Sequence, residues 1–190
     1  MEFKDVIAAR HSVRRFTDKA VPREILDDMI AEALLAPSSH NSRSSRFLIV
    51  EDRETLEAMA KMRDYGAALL SGAAAAIVVF GDTTKTDLWI ENASISATYL
   101  MLSATSRGIG NCWVHVNGRP RFKAEPEKGS ATEYLLDLLS GREVFPAAPG
   151  GAGLPQVISA QVSGGSPLTA TPGGRAELLP LCVIALGYKD

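Results

Sequence analysis

The sequence predicts an α/β fold, because two kinds of apolar pattern alternate along the chain. Segments with apolar residues at helical spacing are separated by short, uniformly apolar runs that are typical of buried strands. With 190 residues, 46% of them hydrophobic and 22% charged, the chain is long enough to bury one core and short for two. We therefore expect a single domain over residues 1–190.

Five segments have the periodicity of amphipathic helices. Pro22 suits the first position of the second helix, and Pro37 lies beyond its end. The fourth helix is rich in small residues that allow close packing, and Gly108 and Gly110 follow it. The expected helices are a short one from Phe3 to about His11, then Pro22–Leu34, Arg53–Met62, Trp89–Arg107 and Thr132–Leu139.

Four short apolar runs are predicted to be strands. They are too short for helices, and their continuous apolar character favours strands buried inside a sheet. The order of helices and strands along the chain is that of an α/β protein. The expected strands are Phe47–Val50, Ala74–Phe80, Asn111–Val116 and Leu181–Leu186.

The segment from Ser140 to Pro180 differs in composition from the rest of the chain. It holds half of the chain's 16 glycines and six prolines, and it has no periodicity. A connection of this length without regular structure is uncommon inside a compact domain. Three interpretations stay open: a mobile lid, a disordered insert, or an error in the assignment of the flanking elements.

The charge balance argues against several classes of partner. The formal net charge is -2 and the pI is near 5.9, so the chain as a whole has no excess of positive charge for binding a nucleic acid or an anionic membrane. No apolar stretch is long enough to span a bilayer and no signal peptide is recognisable, so we expect a cytoplasmic protein. Cys112 and Cys182 lie in apolar, strand-like runs, which indicates buried thiols rather than a disulfide or a metal site.

A cluster of cations follows the first helix, between Arg10 and Phe16. Its three arginines present planar forks of donors that match a phosphate, and Ser12 and the backbone N–H groups add shorter donors. The cluster can therefore hold one phosphate. The alternative is a solvated basic surface at a helix end.

The loop from Pro37 to Arg43 is dense in neutral donors and acceptors. Asn41 offers a carbonyl and an amide together, the pairing needed to bind the edge of a uracil-like ring such as that of a flavin. Proline, serine and asparagine are also common turn residues, so an ordinary turn is the alternative.

The order and spacing of these motifs resemble the nitroreductase family, particularly its short bacterial members. Arg10–Phe16 fits the opening signature Arg-Arg/His-Ser-x-Arg-x-Phe. Ala36–Asn41 fits the first half of the second signature, Ala-Pro-Ser-x-x-Asn-x-Gln-Pro-Trp-x-Phe, whereas Arg43–Ser45 departs from the second half. Gly108–Trp113 is similar to the family's Gly-Leu-Gly-x-Cys-Trp helix exit, and Leu181–Tyr188 is similar to its final strand.

The resemblance covers about residues 1–139 and 181–188, and it implies a mixed central sheet flanked by helices. It also implies a homodimer with flavin mononucleotide (FMN) across the interface. Arg43 replaces the usual glutamine, and a cation at that edge of the flavin is expected to raise its reduction potential. Lys189 substitutes for a basic residue that the C-terminal arm of many members supplies. The residues that the resemblance places against FMN are Arg10, His11, Ser12, Arg14, Pro37, Ser38, Ser39, Asn41, Arg43, Trp113, His115, Gly187 and Lys189.

The activity that the resemblance implies is electron transfer by the cofactor. NADH or NADPH delivers hydride to flavin N5 and leaves, and a small acceptor such as a nitroaromatic or a quinone then takes the electrons, with ping-pong kinetics. No side chain is therefore expected to act as acid, base or nucleophile. Two alternatives stay open: other flavin chemistry on the same scaffold, such as dehalogenation or ring dehydrogenation, and a non-catalytic scaffold without flavin. The segment 140–180 is a candidate lid over the flavin.

Overall fold

The computed structural model describes residues 2–140, 143–144, 160–161 and 178–190. Within these residues the predicted alternation of helices and strands is confirmed. The helices are α1 (Phe3–Ala9), α2 (Arg23–Ala33), α3 (Arg53–Ala60), α4 (Trp89–Ser106) and α5 (Ala131–Leu138). The strands are β1 (Ser45–Val50), β2 (Ala75–Asp82), β3 (Gly110–His115), β4 (Glu143–Val144), β5 (Ala160–Gln161) and β6 (Leu178–Gly187).

Capping residues determine where several helices begin. The carboxylate of Asp52 accepts the N–H of Thr55 at 2.9 Å and starts α3. Ser130 and Glu133 form a reciprocal capping box at the start of α5. Pro22 lies at the N-cap of α2 and not at the first helical position that the sequence predicted, because its ψ of 140° is extended.

The central sheet has four strands in the order β1–β2–β6–β3, and each neighbouring pair is antiparallel. At one end of the sheet, Ser45 of β1 is opposite Gly81 of β2, which is opposite Leu179 of β6. At the other end, Gly110 of β3 is opposite Gly187 of β6. The two edge strands therefore begin at opposite ends of β6, and the predicted fold class of a sheet with flanking helices is confirmed.

Further strand pairings lie outside the four-stranded sheet. Ser12 forms a parallel bridge with Asn111 beside β3, and within the described residues this bridge is the parallel part of the expected mixed sheet. β4 and β5 form a separate antiparallel ribbon, in the segment for which the sequence predicted no regular structure. The lid and the disordered insert predicted for residues 140–180 concern mainly residues outside the described ranges.

β6 begins at Leu178, ahead of the predicted start at Leu181. The sequence was misleading here because Pro180 has no N–H and normally argues against a central strand. The register of β2 against β6 shifts between Val79 and Phe80, next to this proline, and such a bulge tolerates a residue that cannot donate. The other predicted boundaries of helices and strands differ from the structure by one or two residues.

Buried apolar side chains form two clusters, one on each face of the sheet. On one face, Leu56 of α3 and Leu135 of α5 pack against the strands. On the other face, Met29 of α2 and Leu100 of α4 do so. The central strand β2 is buried along its whole length, which explains its apolar sequence from Ala75 to Phe80.

No helix in the described part of the chain is long and apolar enough to cross a membrane. Cys112 and Cys182 are free and buried, as the sequence predicted. Burial raises the pKa of the Cys182 thiol well above its usual range, so this thiol stays protonated at neutral pH.

Candidate functional site

The basic segment, defined as Arg10–Phe16, runs along the edge of the sheet beside β3. The N–H of Val13 donates to the carbonyl of Asn111 at 2.9 Å, and Phe16 forms an antiparallel bridge with Lys189. Backbone pairing at these two points fixes the segment between β3 and the residues that follow β6. The structure therefore brings Lys189 next to the basic segment.

Two glycines allow this close approach. A Cβ atom on Gly110 would lie 2.9 Å from Cγ1 of Val13, and one on Gly187 would lie 2.9 Å from Cδ1 of Phe16. Both distances are too short for a real Cβ contact, so a side chain at either position would push the segment off the sheet. Gly187 thus acts by making room for Phe16.

Most side chains of the basic segment face solvent. Val13 is buried, whereas Ser12 and Arg14 on either side of it are exposed. Because an extended chain directs alternate side chains to one face, Arg10, Ser12 and Arg14 share the solvent-facing side. His11 turns back, and its Nδ1 donates to the carbonyl of the last residue of α1 at 2.8 Å. The side chains available to a phosphate are therefore the two arginines and the serine rather than the imidazole.

The polar loop, defined as Pro37–Ser44, has a strained backbone. His40, Asn41 and Arg43 have φ angles of +49°, +54° and +46°. A left-handed conformation costs a residue with a side chain about 1–2 kcal/mol, so it persists only where the surroundings enforce it. Such strain is concentrated at binding sites, and it favours a ligand-binding loop over an ordinary turn.

Asn92, near the start of α4, enforces this conformation. Its side chain is 2% exposed, and its Oδ1 accepts the N–H of Ser39 at 2.9 Å. Its Nδ2 donates to Oγ of Ser42 at 3.1 Å and to Oγ of Ser44 at 3.0 Å. One amide therefore fastens the polar loop to α4 at three points.

Arg43 is held within the polar loop by its neighbours. Its N–H donates to Oγ of Ser38 at 2.9 Å, and its carbonyl accepts from Nη1 of Arg46 at 2.7 Å. Its Nε donates to Oδ1 of Asn41 at 3.2 Å, at the exposed surface of the loop. The two side chains that the sequence assigned to one edge of a flavin ring are thus adjacent.

A buried ion pair supports the end of the polar loop. Nη2 of Arg46 lies 3.2 Å from Oδ2 of Asp82, and both side chains are almost completely buried. Burial lowers the pKa of Arg46 and the charge of Asp82 opposes this shift, so the guanidinium remains charged at neutral pH. The N–H of Asp82 also donates to the carbonyl of Ser44 at 2.8 Å. β1 and β2 therefore give the loop a rigid base.

Trp113 and His115 form a partly exposed pair on β3. Nε1 of Trp113 donates to Nδ1 of His115 at 3.3 Å, and the two rings are 18° from parallel. Burial lowers the pKa of His115, and the charges of Arg119 and Arg63 lower it further. The imidazole is therefore neutral at neutral pH, as accepting the indole N–H requires.

The basic segment and the polar loop of one chain lie at opposite corners of the sheet. The loop leads into Ser45, which aligns through β2 with Leu179 near the start of β6. The basic segment pairs with Asn111, which is opposite Leu186 near the end of β6. The basic segment lies one strand position beyond β3, so at the usual strand spacing and rise the two motifs are about 19 Å apart across the sheet and about 24 Å apart along it. One small cofactor cannot contact both motifs of the same chain.

Sequence reasoning missed Asn92 and the pair of Arg46 with Asp82. Asn92 is a polar residue within the small, apolar stripe of α4, next to Ala93, and this exception to the stripe was the available signal. Arg46 directly precedes the apolar run of β1, where a charged residue reads as exposed. Their partners come from distant parts of the chain, which no local pattern identifies.

A sequence profile of the nitroreductase family matches residues 7–65, which include the basic segment and the polar loop. A protein of Archaeoglobus fulgidus, named as a candidate NADH dehydrogenase/NAD(P)H nitroreductase, is 34% identical over 136 residues, or 69% of this chain and 78% of that protein. A protein of the same name from Methanothermobacter thermautotrophicus is 32% identical over 119 residues. That match spans 61% of this chain and 62% of the relative, which is less than two thirds of its length.

A solved structure shares the fold over almost the whole chain. The FMN-dependent nitroreductase from Clostridium difficile R20291 superposes with a TM-score of 0.74 at 30% sequence identity. The superposition covers 97% of this chain and 86% of that protein.

Proposed function

Because this chain belongs to the nitroreductase family, we propose that it binds FMN and passes electrons from NADH or NADPH to small acceptors such as nitroaromatics and quinones. The names of its relatives support both parts of the proposal. The structural relative is named FMN-dependent, and the two archaeal relatives are named for NADH and NAD(P)H.

The donors that the structure presents fit the two ends of FMN. Arg10, which is half-buried, and the exposed Ser12 and Arg14 offer charged and neutral donors on one face of the segment, which suits a dianionic phosphate. The polar loop offers the amide of Asn41 and the guanidinium of Arg43 side by side, which suits the carbonyl oxygens of the pyrimidine edge. Bound FMN would supply the redox chemistry, by accepting hydride from the nicotinamide and passing electrons to the acceptor.

The observation that carries the proposal is the separation of the two motifs within one chain. Since one FMN cannot contact both motifs of the same subunit, we propose a homodimer in which the basic segment of one subunit faces the polar loop of its partner. A two-fold axis makes two equivalent sites of this kind. This arrangement matches the interface position of FMN that the family resemblance implies.

The exposed surface of α4 supports this dimer. The helix reaches from Asn92, under the polar loop, to Thr105, whose Oγ1 accepts from Nδ2 of Asn111 at 3.1 Å. These fourteen residues correspond to about 20 Å of helix, and Ile95 and Tyr99 lie near their middle. Both are exposed, by 37% and 42%. A two-fold axis near these residues would bring the end of α4 that carries the loop toward the partner's basic segment.

The first helix extends the same surface. α1 packs against α4, and its apolar residues Phe3 and Ile7 are exposed by 68% and 52%. We define the apolar face as Phe3 and Ile7 of α1 together with Ile95 and Tyr99 of α4. An exposed apolar face of this kind is typical of a surface that another protein covers.

The side chains around the proposed site bind and orient rather than react. The arginines of the basic segment hold the phosphate end, and the polar loop sets the orientation of the ring. The stacked pair of Trp113 and His115 forms a wall that limits access of water from β3. No titratable side chain is assigned to proton transfer.

The proposal is tested by the visible absorption spectrum of the purified protein under anaerobic conditions, before and after incubation with FMN and removal of the unbound FMN by gel filtration, and then after addition of NADH or NADPH. Flavin bands that appear with FMN, bleach with the nicotinamide and return with a nitroaromatic or a quinone support it. A protein that is colourless once the unbound FMN is removed would contradict the proposal and favour a non-catalytic scaffold.

A further inference from the structure

A second group of cations lies at the other end of β3 from the basic segment. We define the basic patch as Arg63, Arg119, Arg121 and Lys123. Nη1 of Arg63 donates to the carbonyl of His115, the last residue of β3, at 2.7 Å. The patch is thus anchored at the end of the strand that carries the Trp113 and His115 pair.

Aromatic rings and backbone bonds hold the basic patch in position. The guanidinium of Arg63 lies 4.1 Å from the ring centre of Tyr65, and that of Arg121 lies 4.0 Å from the ring centre of Tyr134. The N–H of Lys123 donates to the carboxylate of Asp64 at 3.0 Å. Two of the cations therefore have fixed positions, and the segment that carries the others is tied to the residues after α3.

In the described part of the chain, the charged side-chain groups of the basic patch form no ion pair with a carboxylate, and Asp64 contacts only the backbone N–H of Lys123. Within residues 2–140 and 178–190, the structure shows no ion pair for any of the four. The Nε atoms of Arg63 and Arg121 are buried without a hydrogen-bond partner. Arg119 and Lys123 are exposed to solvent. Positive charge is thus concentrated on a partly rigid surface where an anion can reach two of the cations.

Burial and the positive charge of the basic patch both lower the pKa of the neighbouring His115. The positive charges of Arg119 and Arg63 are, after burial, the causes that lower the pKa of His115. The basic patch therefore lies close enough to the end of β3 to act on one side chain of the proposed wall of the flavin site.

We infer that the basic patch binds a phosphate monoester, and that this phosphate is the one that distinguishes NADPH from NADH; the second part rests on the proposed function. The basic segment and the basic patch lie at the two ends of β3, and the rise of the strand from Asn111 to His115 is about 13 Å. Two phosphate-binding groups at this separation suit one flavin nucleotide and one nicotinamide nucleotide. Arginine is the residue type that accommodates the 2′-phosphate in other NADP sites.

A nucleic acid is a poorer match for the basic patch. Its backbone needs a line of cations along a protein surface, whereas this patch consists of four residues at the end of one strand. The net charge of the chain, -2, also disfavours a polyanion.

The test is calorimetric titration of the purified protein with 2′,5′-ADP, 5′-AMP and inorganic phosphate. We expect 2′,5′-ADP to bind at least about tenfold more tightly than 5′-AMP, since a charge-assisted contact to the added phosphate is worth at least that factor. Arg119→Gln and Lys123→Gln are each expected to remove most of this difference. Both residues are exposed, so the fold should tolerate the changes. The matched control is Lys85→Gln, which removes an exposed cation in the turn after β2.

The kinetic counterpart is the ratio of kcat/KM for NADPH to that for NADH. It should fall in Arg119→Gln and Lys123→Gln and stay unchanged in Lys85→Gln. Equal binding of 2′,5′-ADP and 5′-AMP, or patch variants that behave like the control, would overturn the inference. Inorganic phosphate that competes as strongly as 2′,5′-ADP would overturn the assignment to NADPH.

The two proposals fail in different ways. Calorimetry with 2′,5′-ADP requires no bound flavin, so it tests whether the basic patch binds a phosphate even if the protein has no redox activity. A protein that oxidises neither dinucleotide contradicts the proposed function. A protein that oxidises both with the same kcat/KM contradicts only the role of the basic patch.

Discussion

At the scale of single residues, Asn92 links the interior of the fold to the candidate site. Its amide is the partner of one N–H and two hydroxyls in the polar loop. Removing it leaves these groups without that partner and frees the neighbouring loop residues, which have left-handed conformations, to relax. The loop can then relax away from the geometry that binds a ring.

Asn92→Leu is expected to weaken FMN binding by about tenfold or more and to lower the free energy of unfolding by about 1–3 kcal/mol. Asn92→Asp should retain most of the FMN affinity, because a carboxylate accepts from the N–H of Ser39 and from hydroxyls of Ser42 and Ser44 that rotate to donate. Titration with FMN, followed by flavin absorbance, measures the affinity. Urea unfolding measures the stability.

The control for Asn92→Leu is Ser96→Ala. Oγ of Ser96 shares a buried hydrogen bond of 2.8 Å with Oγ of Ser45, so this change removes a bond between the same helix and β1 without touching Asn92. It should lower the stability and leave FMN binding unchanged. If both variants bind FMN equally well, Asn92 has only a structural role.

Arg43 is the residue with an expected effect on the flavin's potential. A cation beside the carbonyl oxygens should stabilise the anionic reduced flavin, so Arg43→Gln should lower the midpoint potential. A contribution of about 1 kcal/mol for one charge at the surface corresponds to about 20 mV for two electrons. Equilibration with a reference dye measures this potential. An unchanged potential in Arg43→Gln would show that the cation does not act on the flavin.

At the scale of elements, the end of β6 positions the basic segment. Gly187 leaves the space that Phe16 occupies, and Phe16 in turn pairs with Lys189. A side chain at residue 187 would therefore displace the backbone of the basic segment and, with it, the proposed phosphate site.

Gly187→Ala is expected to lower the free energy of unfolding by about 1–3 kcal/mol, because the added Cβ overpacks the contact with Phe16. It should also weaken FMN binding, since it displaces the basic segment. Gly72→Ala is the matched control, because a Cβ there meets no atom within 4 Å and its φ is not left-handed. Urea unfolding of both variants checks the prediction, and equal stability would contradict it.

The elements were largely predictable because their signals are local. The apolar stripe of α2 and the continuous apolar runs of β2 and β6 can be read from neighbouring residues. The start of β6 was missed because the bulge that accommodates Pro180 depends on pairing with β2. The ribbon of β4 and β5 was missed because two-residue strands have no periodicity.

The candidate site was predictable only in part. Arg10, Ser12 and Asn41 were identified by resemblance to a family signature, while their chemistry alone left a basic surface and an ordinary turn as alternatives. The support from Asn92 depends on a contact between residues more than fifty positions apart. The separation of the two motifs depends on the strand order, which no single segment specifies.

At the scale of the whole molecule, the apolar face is expected to form the dimer interface. Tyr99→Glu places a charge in the middle of this face. Burying an unpaired carboxylate in an interface costs much more free energy than leaving it in solvent, so the dimer is destabilised. The variant should be monomeric at micromolar concentration and should lose FMN. Ala68→Glu is the control, since it adds the same charge at an exposed position on the other side of the sheet.

Sedimentation velocity measures the oligomeric state of both variants. The dimer should persist in Ala68→Glu and dissociate in Tyr99→Glu. A monomeric wild-type protein that binds FMN stoichiometrically would contradict the proposed interface.

The central claim is that each FMN is held by the basic segment of one subunit and the polar loop of the other. The most direct test mixes two variants that each fail to bind FMN. The segment variant carries Arg10→Gln and Arg14→Gln. The loop variant carries Asn41→Gly, which keeps the left-handed backbone without strain, together with Asn92→Leu.

In a mixed dimer of these variants, one of the two sites combines an intact segment with an intact loop. After subunit exchange at equal concentrations, half of the dimers are mixed, so FMN absorbance should recover to about a quarter of the wild-type value. A mixture that stays colourless, while the wild-type protein binds FMN, would show that each site is built within one chain and would contradict the account.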